Sequence, residues 1–134
     1  MQSTAAASLS RSDITVVDGD TIQLRGEAKG IRLVGFNTPE TYKPVCRAGL
    51  DLGRRATARL KQMVGQAKAI QLEFVPCACR PQDRGTSRCN FGRSCGKLRI
   101  DGADVGRTLI AESLAARFVC GASSCPPLPR PWCK

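Results

Sequence analysis

Three short apolar runs within the first forty residues, "ITVV", "TIQL" and "IRLVGF", each end at a turn-forming group, and this punctuation constrains the chain more than any other feature. Runs of this length suit strands better than helix faces. "DGD", residues 18–20, joins the first two runs, and its Asp-Gly pair supplies the positive φ that a tight hairpin wants. "RGEAKG" makes a second turn, so Arg25 and Glu27 read as solvated turn residues. Pro39 in "NTPE" stops the third strand because it cannot continue a ladder. The first forty residues therefore read as a three-stranded meander.

Residues 41–49 read as a loop. In "LDLGRRATARLKQMVG" Leu52, Ala56, Leu60, Met63 and Val64 recur at helical spacing, and Gly65 offers a C-terminal stop. Arg54, Arg55, Arg59 and Lys61 form the opposite, solvated face. "AIQLEFV" predicts a fourth strand and "KLRI", closed by the turn "DGAD", a fifth. "VGRTLIAESLAARF" predicts a second helix with Leu109, Ile110 and Leu114 inward, and the Pro-rich "VCGASSCPPLPRPWCK" a loop held by cysteines. Three meandering strands, a helix and two more strands is the element order of a five-stranded Greek-key barrel, the OB-fold, mainly β with two helices. An SH3-like or split barrel is the alternative. With 134 residues the chain is one domain. We expect a disordered lead over 1–12, the barrel over 13–119 and a Pro/Cys-rich tail over 120–134 packed on it.

The formal net charge of +10 points to a polyanionic partner, nucleic acid before an anionic membrane surface. Arginine supplies 15 of the 21 cations, and its planar fork suits phosphate. Residues 76–100 carry Arg80, Arg84, Arg88, Arg93, Lys97 and Arg99 against Asp83 alone. The absence of histidine leaves acid–base work to carboxylates, Arg, Lys, Tyr or metal-bound water. No apolar run approaches the length of a membrane span, and "MQSTAAASLSRSD" has neither the basic nor the apolar region of a signal peptide. Eight cysteines suggest an oxidising compartment, secreted or periplasmic, so the expected location stays open.

Phosphodiester hydrolysis needs a divalent cation held by hard oxygens, a base for water and cations for the phosphate. Asp20, Asn37 and the Thr38 carbonyl can supply oxygens. Glu40 can face the same space across the Pro39 turn, and Arg32 lies on the strand leading into it. One more arginine from the basic segment would complete a clamp. Taken singly, "DGD" and "NTPE" are ordinary turns; their joint occurrence is informative.

"VDGDT", "IRLVGFNTPE", and "NFGR" followed by "DG" closely resemble the staphylococcal nuclease (thermonuclease) family over about Ile14 to Phe118. The resemblance implies an OB-fold nuclease that uses Ca2+ to hydrolyse phosphodiester bonds in DNA and RNA and leaves 3'-phosphate ends, and we expect a single ion and a monomer. By motif, Asp20 matches a calcium carboxylate and Thr38 the backbone-carbonyl ligand. Glu40 matches the general base, and Arg32 and Arg93 match the two phosphate arginines. Phe91 stands where the family has a tyrosine, able to stack on a base but without the hydroxyl; Arg84 and Arg88 are expected to bind substrate beside it. Asn37 stands where the second calcium aspartate is usual, and the lost charge implies weaker metal binding, or a site to which Asp18 or Glu40 contributes. The family's terminal helix is replaced by the cysteine-containing tail.

Cys46, Cys77, Cys79, Cys89, Cys95, Cys120, Cys125 and Cys133 are disulfide candidates, and eight cysteines allow 105 pairings. Pairing of Cys77 or Cys79 with Cys89 or Cys95 would staple the loop that carries Arg93. The competing reading is a four-thiolate zinc site, although C-x-C with C-x5-C departs from the usual knuckles. Two functional alternatives stand beside the nuclease: a non-catalytic nucleic-acid-binding OB module with a decayed metal site, and a cysteine-rich structural or zinc module.

Overall fold

The structure, a computed structural model, describes residues 6–133. In chain order its elements are β1 (Ala7–Leu9), β2 (Ile14–Asp18), β3 (Thr21–Leu24), β4 (Ile31–Leu33), β5 (Gly35–Asn37), α1 (Arg47–Gln66), β6 (Ile70–Val75), β7 (Ser94–Ile100), β8 (Ala103–Asp104), α2 (Val105–Ala111) and β9 (Ala116–Phe118). The main sheet runs β1-β6-β7-β4-β3-β2, with β8 on β7; β5 and β9 form a separate pair. β4 and β7 are parallel, with Arg32 opposite Cys95, and the other pairs are antiparallel. The result is a mixed-sheet half-barrel with two helices.

This corrects the expected five-stranded barrel in three places. First, the lead is not structureless where it is described: Ala7, Ser8 and Leu9 pair with Leu72, Gln71 and Ile70. Arg11 also donates to the Gly65 carbonyl at 2.8 Å. β1 thereby occupies the outer edge of β6, the edge that a ladder closing the barrel onto β2 would use. Residues 1–5 of the expected lead lie outside the described residues. Second, "IRLVGF" is two strands, because Gly35 at φ +96° turns the chain out of the main sheet. Third, the second helix stops at Ala111 and Ser113 at φ 63° redirects the chain, so Ala116–Phe118 become the strand that receives β5.

Alternation along the strands buries Ile22, Ile31, Leu33, Leu72, Leu98 and Ile100 on one side, where α1 and α2 deliver Leu60, Val64, Val105 and Leu109. α1 starts at Cys46, whose sulfur accepts from the Gly49 N–H. Gly65 lies inside that helix, which ends one residue later. Gly49, Gly53, Ala56, Leu60 and Val64 form its buried stripe. Small residues at the N-terminal end of the stripe admit neighbouring backbone: a Cβ on Gly53 would lie 2.6 Å from the Pro39 carbonyl oxygen. The same logic revises the reading of "DGD". Gly19 has no positive φ, and the pairing of β2 with β3 shifts register between Val16 and Asp18. Glycine is needed there for space, since a Cβ would come within 2.8 Å of the Thr38 side chain.

Candidate active site

The turn after β2, the strand β4 and the end of β5 converge because α1 lets the "NTPE" turn pack against it. Asp20 is buried at the centre. One carboxylate oxygen accepts from the Thr21 hydroxyl at 3.1 Å, and the other accepts from the Thr38 N–H at 3.2 Å and pairs with Arg32. The Arg32 guanidinium also donates to the Phe36 carbonyl and to Asn37 Oδ1, both at 3.3 Å. Asp20, Arg32, Asn37 and Thr38 are thus gathered into one network. Arg32 thus pairs with Asp20 and not with Glu40.

Asp18 belongs to this cluster more closely than a turn residue would. Its Oδ1 accepts from the Asp20 N–H at 3.1 Å. Burial first, then the Asp20 charge and a hydrogen bond between the two carboxyls, push its pKa up to about 7 against the opposing Asp20 N–H and Arg32. Arg93 joins from the other side. Its Cδ lies 3.9 Å from where a Cβ on Gly30 would stand, just before β4. Its guanidinium donates to the Asn90 side-chain oxygen at 2.7 Å and lies 5.5 Å from the Phe91 ring centre. Burial chiefly, and then Arg32, draw the Arg93 pKa down, while Asp20 and Asp18 pull it up. Those influences bring Arg32, Arg93, Asp18 and Asp20 within electrostatic reach of each other.

The other candidates are arranged differently. Phe91 is 78% exposed, held at φ 58° between Asn90 and Gly92, which also have positive φ. Arg84 and Arg93 both line a small cavity against Pro76 and Ser94. Arg88 is turned toward Asp83 at 3.9 Å, and Arg80 pairs with the same carboxylate at 3.0 Å. Glu40 pairs with Arg130 at 3.1 Å.

Arg130 is the residue that sequence reasoning missed. The tail returns to the "NTPE" turn: the Asn37 amide donates to the Pro129 carbonyl at 3.1 Å, and Trp132 packs over Gly49 on α1. Cys46–Cys133 closes this return across a sequence separation of 87. A pair of cysteines flanking the first helix and ending the tail was the only signal, and spacing could not select it from 105 pairings. The remaining bonds are Cys77–Cys95, Cys79–Cys89 and Cys120–Cys125, so all eight cysteines are paired and none is left for zinc. The two bonds in the basic loop join Cys77 and Cys79 to Cys95 and Cys89, as the loop staple required.

Among the described residues no group of three or more acids, cysteines or histidines could hold a metal. Asp18 and Asp20 supply two carboxylates and Asn37 an amide oxygen that already accepts from Arg32, while the unpartnered Thr38 hydroxyl lies against Gly19, which leaves the Thr38 carbonyl as the expected donor. This all-oxygen set has the donor type a hard divalent cation takes, with at most two negative charges, because the raised pKa of Asp18, about 7, leaves it part-protonated at neutral pH, where three full charges would bind more tightly.

No family model matches the chain. It is 36% identical over 108 residues to the SPbeta prophage-derived endonuclease YokF of Bacillus subtilis (strain 168), covering 77% of this chain and 33% of that protein. It is 36% identical over 101 residues to endonuclease YncB of the same organism, covering 74% of this chain and 43% of that protein. The chain therefore spans less than half the length of these curated relatives.

Proposed function

We propose that this chain is a nuclease that hydrolyses phosphodiester bonds of DNA and RNA with little sequence preference. The observation that carries the reading is the Arg32–Asp20 pair in a network with Asn37 and Thr38, with Asp18 bonded to the Asp20 N–H and Arg93, held by Asn90, close enough to feel the charges of Arg32, Asp20 and Asp18. The endonuclease names of its relatives and the resemblance to the staphylococcal nuclease family support the same chemistry. So does the sheet order β2-β3-β4-β7-β6 with its parallel β4–β7 step, which agrees with an OB-type barrel.

In this mechanism Arg32 and Arg93 bind the scissile phosphate through paired N–H donors and stabilise the charge that grows on its oxygens. Arg32 must exchange part of its contact with Asp20 and Asn37 for the phosphate. Glu40 accepts the proton of the attacking water at its carboxylate, after yielding or sharing its contact with Arg130, and as the new P–O bond forms the P–O bond to the departing sugar oxygen breaks, that oxygen leaving beside Arg93 and taking its proton from water. The site would hold Ca2+ through Asp20, Asn37 and Thr38, with Asp18 beside them. When bound, that ion would neutralise phosphate charge as a Lewis acid. The test is cleavage of single-stranded DNA and RNA across a calcium titration. Cutting that chelator abolishes is expected, and intact substrate at every calcium concentration would defeat the proposal.

A second reading, a nucleic-acid-binding module without cleavage, is favoured by one observation: the amide of Asn37 is committed to Arg32 and to the tail. Asn37→Asp separates the two. A third carboxylate should tighten calcium binding about tenfold in a calorimetric titration, because affinity follows ligand charge. Activity gained only in that variant would favour the binding module, whereas an active parent excludes it.

A further inference from the structure

The outward face of β7 carries a row of cations that the proposed chemistry does not use. Gly96, Leu98 and Ile100 point into the core, which leaves Lys97 and Arg99 on the opposite face at two-residue steps of about 6.6 Å. Cys95, the preceding position of that row, is the register partner of Arg32. The row therefore begins beside Arg32 of the candidate site.

Two cavities lie along it. One, of about 440 Å³, reaches Arg32; the other, of about 660 Å³, extends past Lys97 and Arg99 to Arg107 on α2 and Arg117 on β9. Val34, Gly35, Lys97 and Val119 line both, so the two form one continuous groove. Asp104 is the acid that lines the groove, and Glu73 lies beside it in the ladder. Glu73, opposite Lys97 in the ladder, gives its carboxylate to Arg99 at 3.2 Å, and Asp104 accepts from the Arg107 backbone N–H at 3.1 Å. Among the described residues, Lys97, Arg107 and Arg117 are exposed and have no carboxylate within ion-pair distance.

We propose that this groove is a phosphate track for an extended single strand of nucleic acid, running from Arg32 past Lys97 and out between Arg107 and Arg117. A concave cationic channel lined from several elements follows one sugar–phosphate backbone. Among the described residues no aromatic side chain lines the outer cavity, so the track holds backbone without stacking bases and adds affinity with no sequence preference. The inference rests on the nuclease reading only in taking Arg32 as the cleavage end.

The test is fluorescence anisotropy in chelator, where nothing is cut, using the full chain, single-stranded oligonucleotides of increasing length and a mononucleotide 3',5'-bisphosphate. The variant Lys97→Gln/Arg107→Gln/Arg117→Gln should lose at least tenfold affinity for the longest strand and keep its affinity for the mononucleotide. Its log–log salt slope should fall by about 2, from three contacts at roughly 0.7 each. The charge-preserving variant Lys97→Arg/Arg107→Lys/Arg117→Lys should restore most of the binding, which separates charge from folding. Wild-type affinity in the neutralised variant would overturn the track, and so would an equal loss for the mononucleotide. Retention on anionic phosphatidylserine vesicles without oligonucleotide binding would also overturn it, in favour of a membrane surface. A parent that binds with the full salt slope but never cuts in calcium would sink the nuclease reading and leave the track standing.

Discussion

Arg93→Ala is expected to lower kcat for single-stranded DNA by about a thousandfold, the scale of losing one preorganised donor at a developing charge. The geometry makes this a site effect and not a folding effect. Arg93 is half-buried at the end of the basic loop, outside the hydrophobic core, and the loop around it is already held by Cys77–Cys95 and Cys79–Cys89. What disappears is the guanidinium that Asn90 holds and that feels the charges of Arg32, Asp20 and Asp18. Glu40→Gln keeps the shape of the side chain and a hydrogen-bonding oxygen for Arg130 but removes the proton acceptor, with an expected loss of about a hundredfold to ten-thousandfold. Because both groups act in one step, the double variant should be far less impaired than the product of the two losses. Steady-state rates with matched thermal melts check this. Activity within twofold of the parent in both single variants would remove Arg93 and Glu40 from the chemistry.

The part of this site written locally in the chain was legible, and the part made by distant contacts was not. Hydrophobic alternation and turn residues located β2, β3, β6 and α1, since each is decided by neighbours a few positions away. The short runs that change partners were harder. Gly35 redirects β5 to a strand near the end of the chain, and β9 was hidden inside a helical pattern that Ser113 ends. β1 is three residues whose only support is the edge of β6, so no local propensity could announce it. At the site, Asp20, Arg32 and Thr38 come together as their motif spacing suggested, while Asp18 proved more than punctuation. Gly19 was read for the wrong reason: its missing side chain matters, not its backbone freedom. Asn37 shows the limit most clearly. Seen in sequence it is a lost charge; in the fold its amide nitrogen meets the Pro129 carbonyl, a contact that an aspartate could not make.

That contact leads to the second large effect. Cys46→Ser/Cys133→Ser is expected to destabilise the protein by about 4.5 kcal/mol, because in the chain-entropy account the benefit of a disulfide grows with the loop it closes. Its sequence separation of 87 far exceeds the 18, 10 and 5 of the other three bonds. Serine at 46 can still cap α1 by accepting the Gly49 N–H, so the loss isolates the tether from the helix start. Against a typical domain stability of about 5–15 kcal/mol the change is large, yet it should leave a folded core, since every residue of that core lies before the tail. Urea unfolding gives the magnitude, and replacing Cys120 and Cys125 instead should cost only about 2 kcal/mol by the same account. The side-chain amide resonance of Asn37 gives the structural consequence. With the tether gone, Pro129 and Arg130 are held at Asn37 and Glu40 by little more than one neutral hydrogen bond, one partly exposed ion pair and the Trp132 contact, each worth on the order of 1 kcal/mol. The tail should then leave for most of the time, shifting that resonance and freeing Glu40. A destabilisation below about 1 kcal/mol with an unmoved amide signal would mean that the tail docks by its own contacts and that the disulfide merely records the docking.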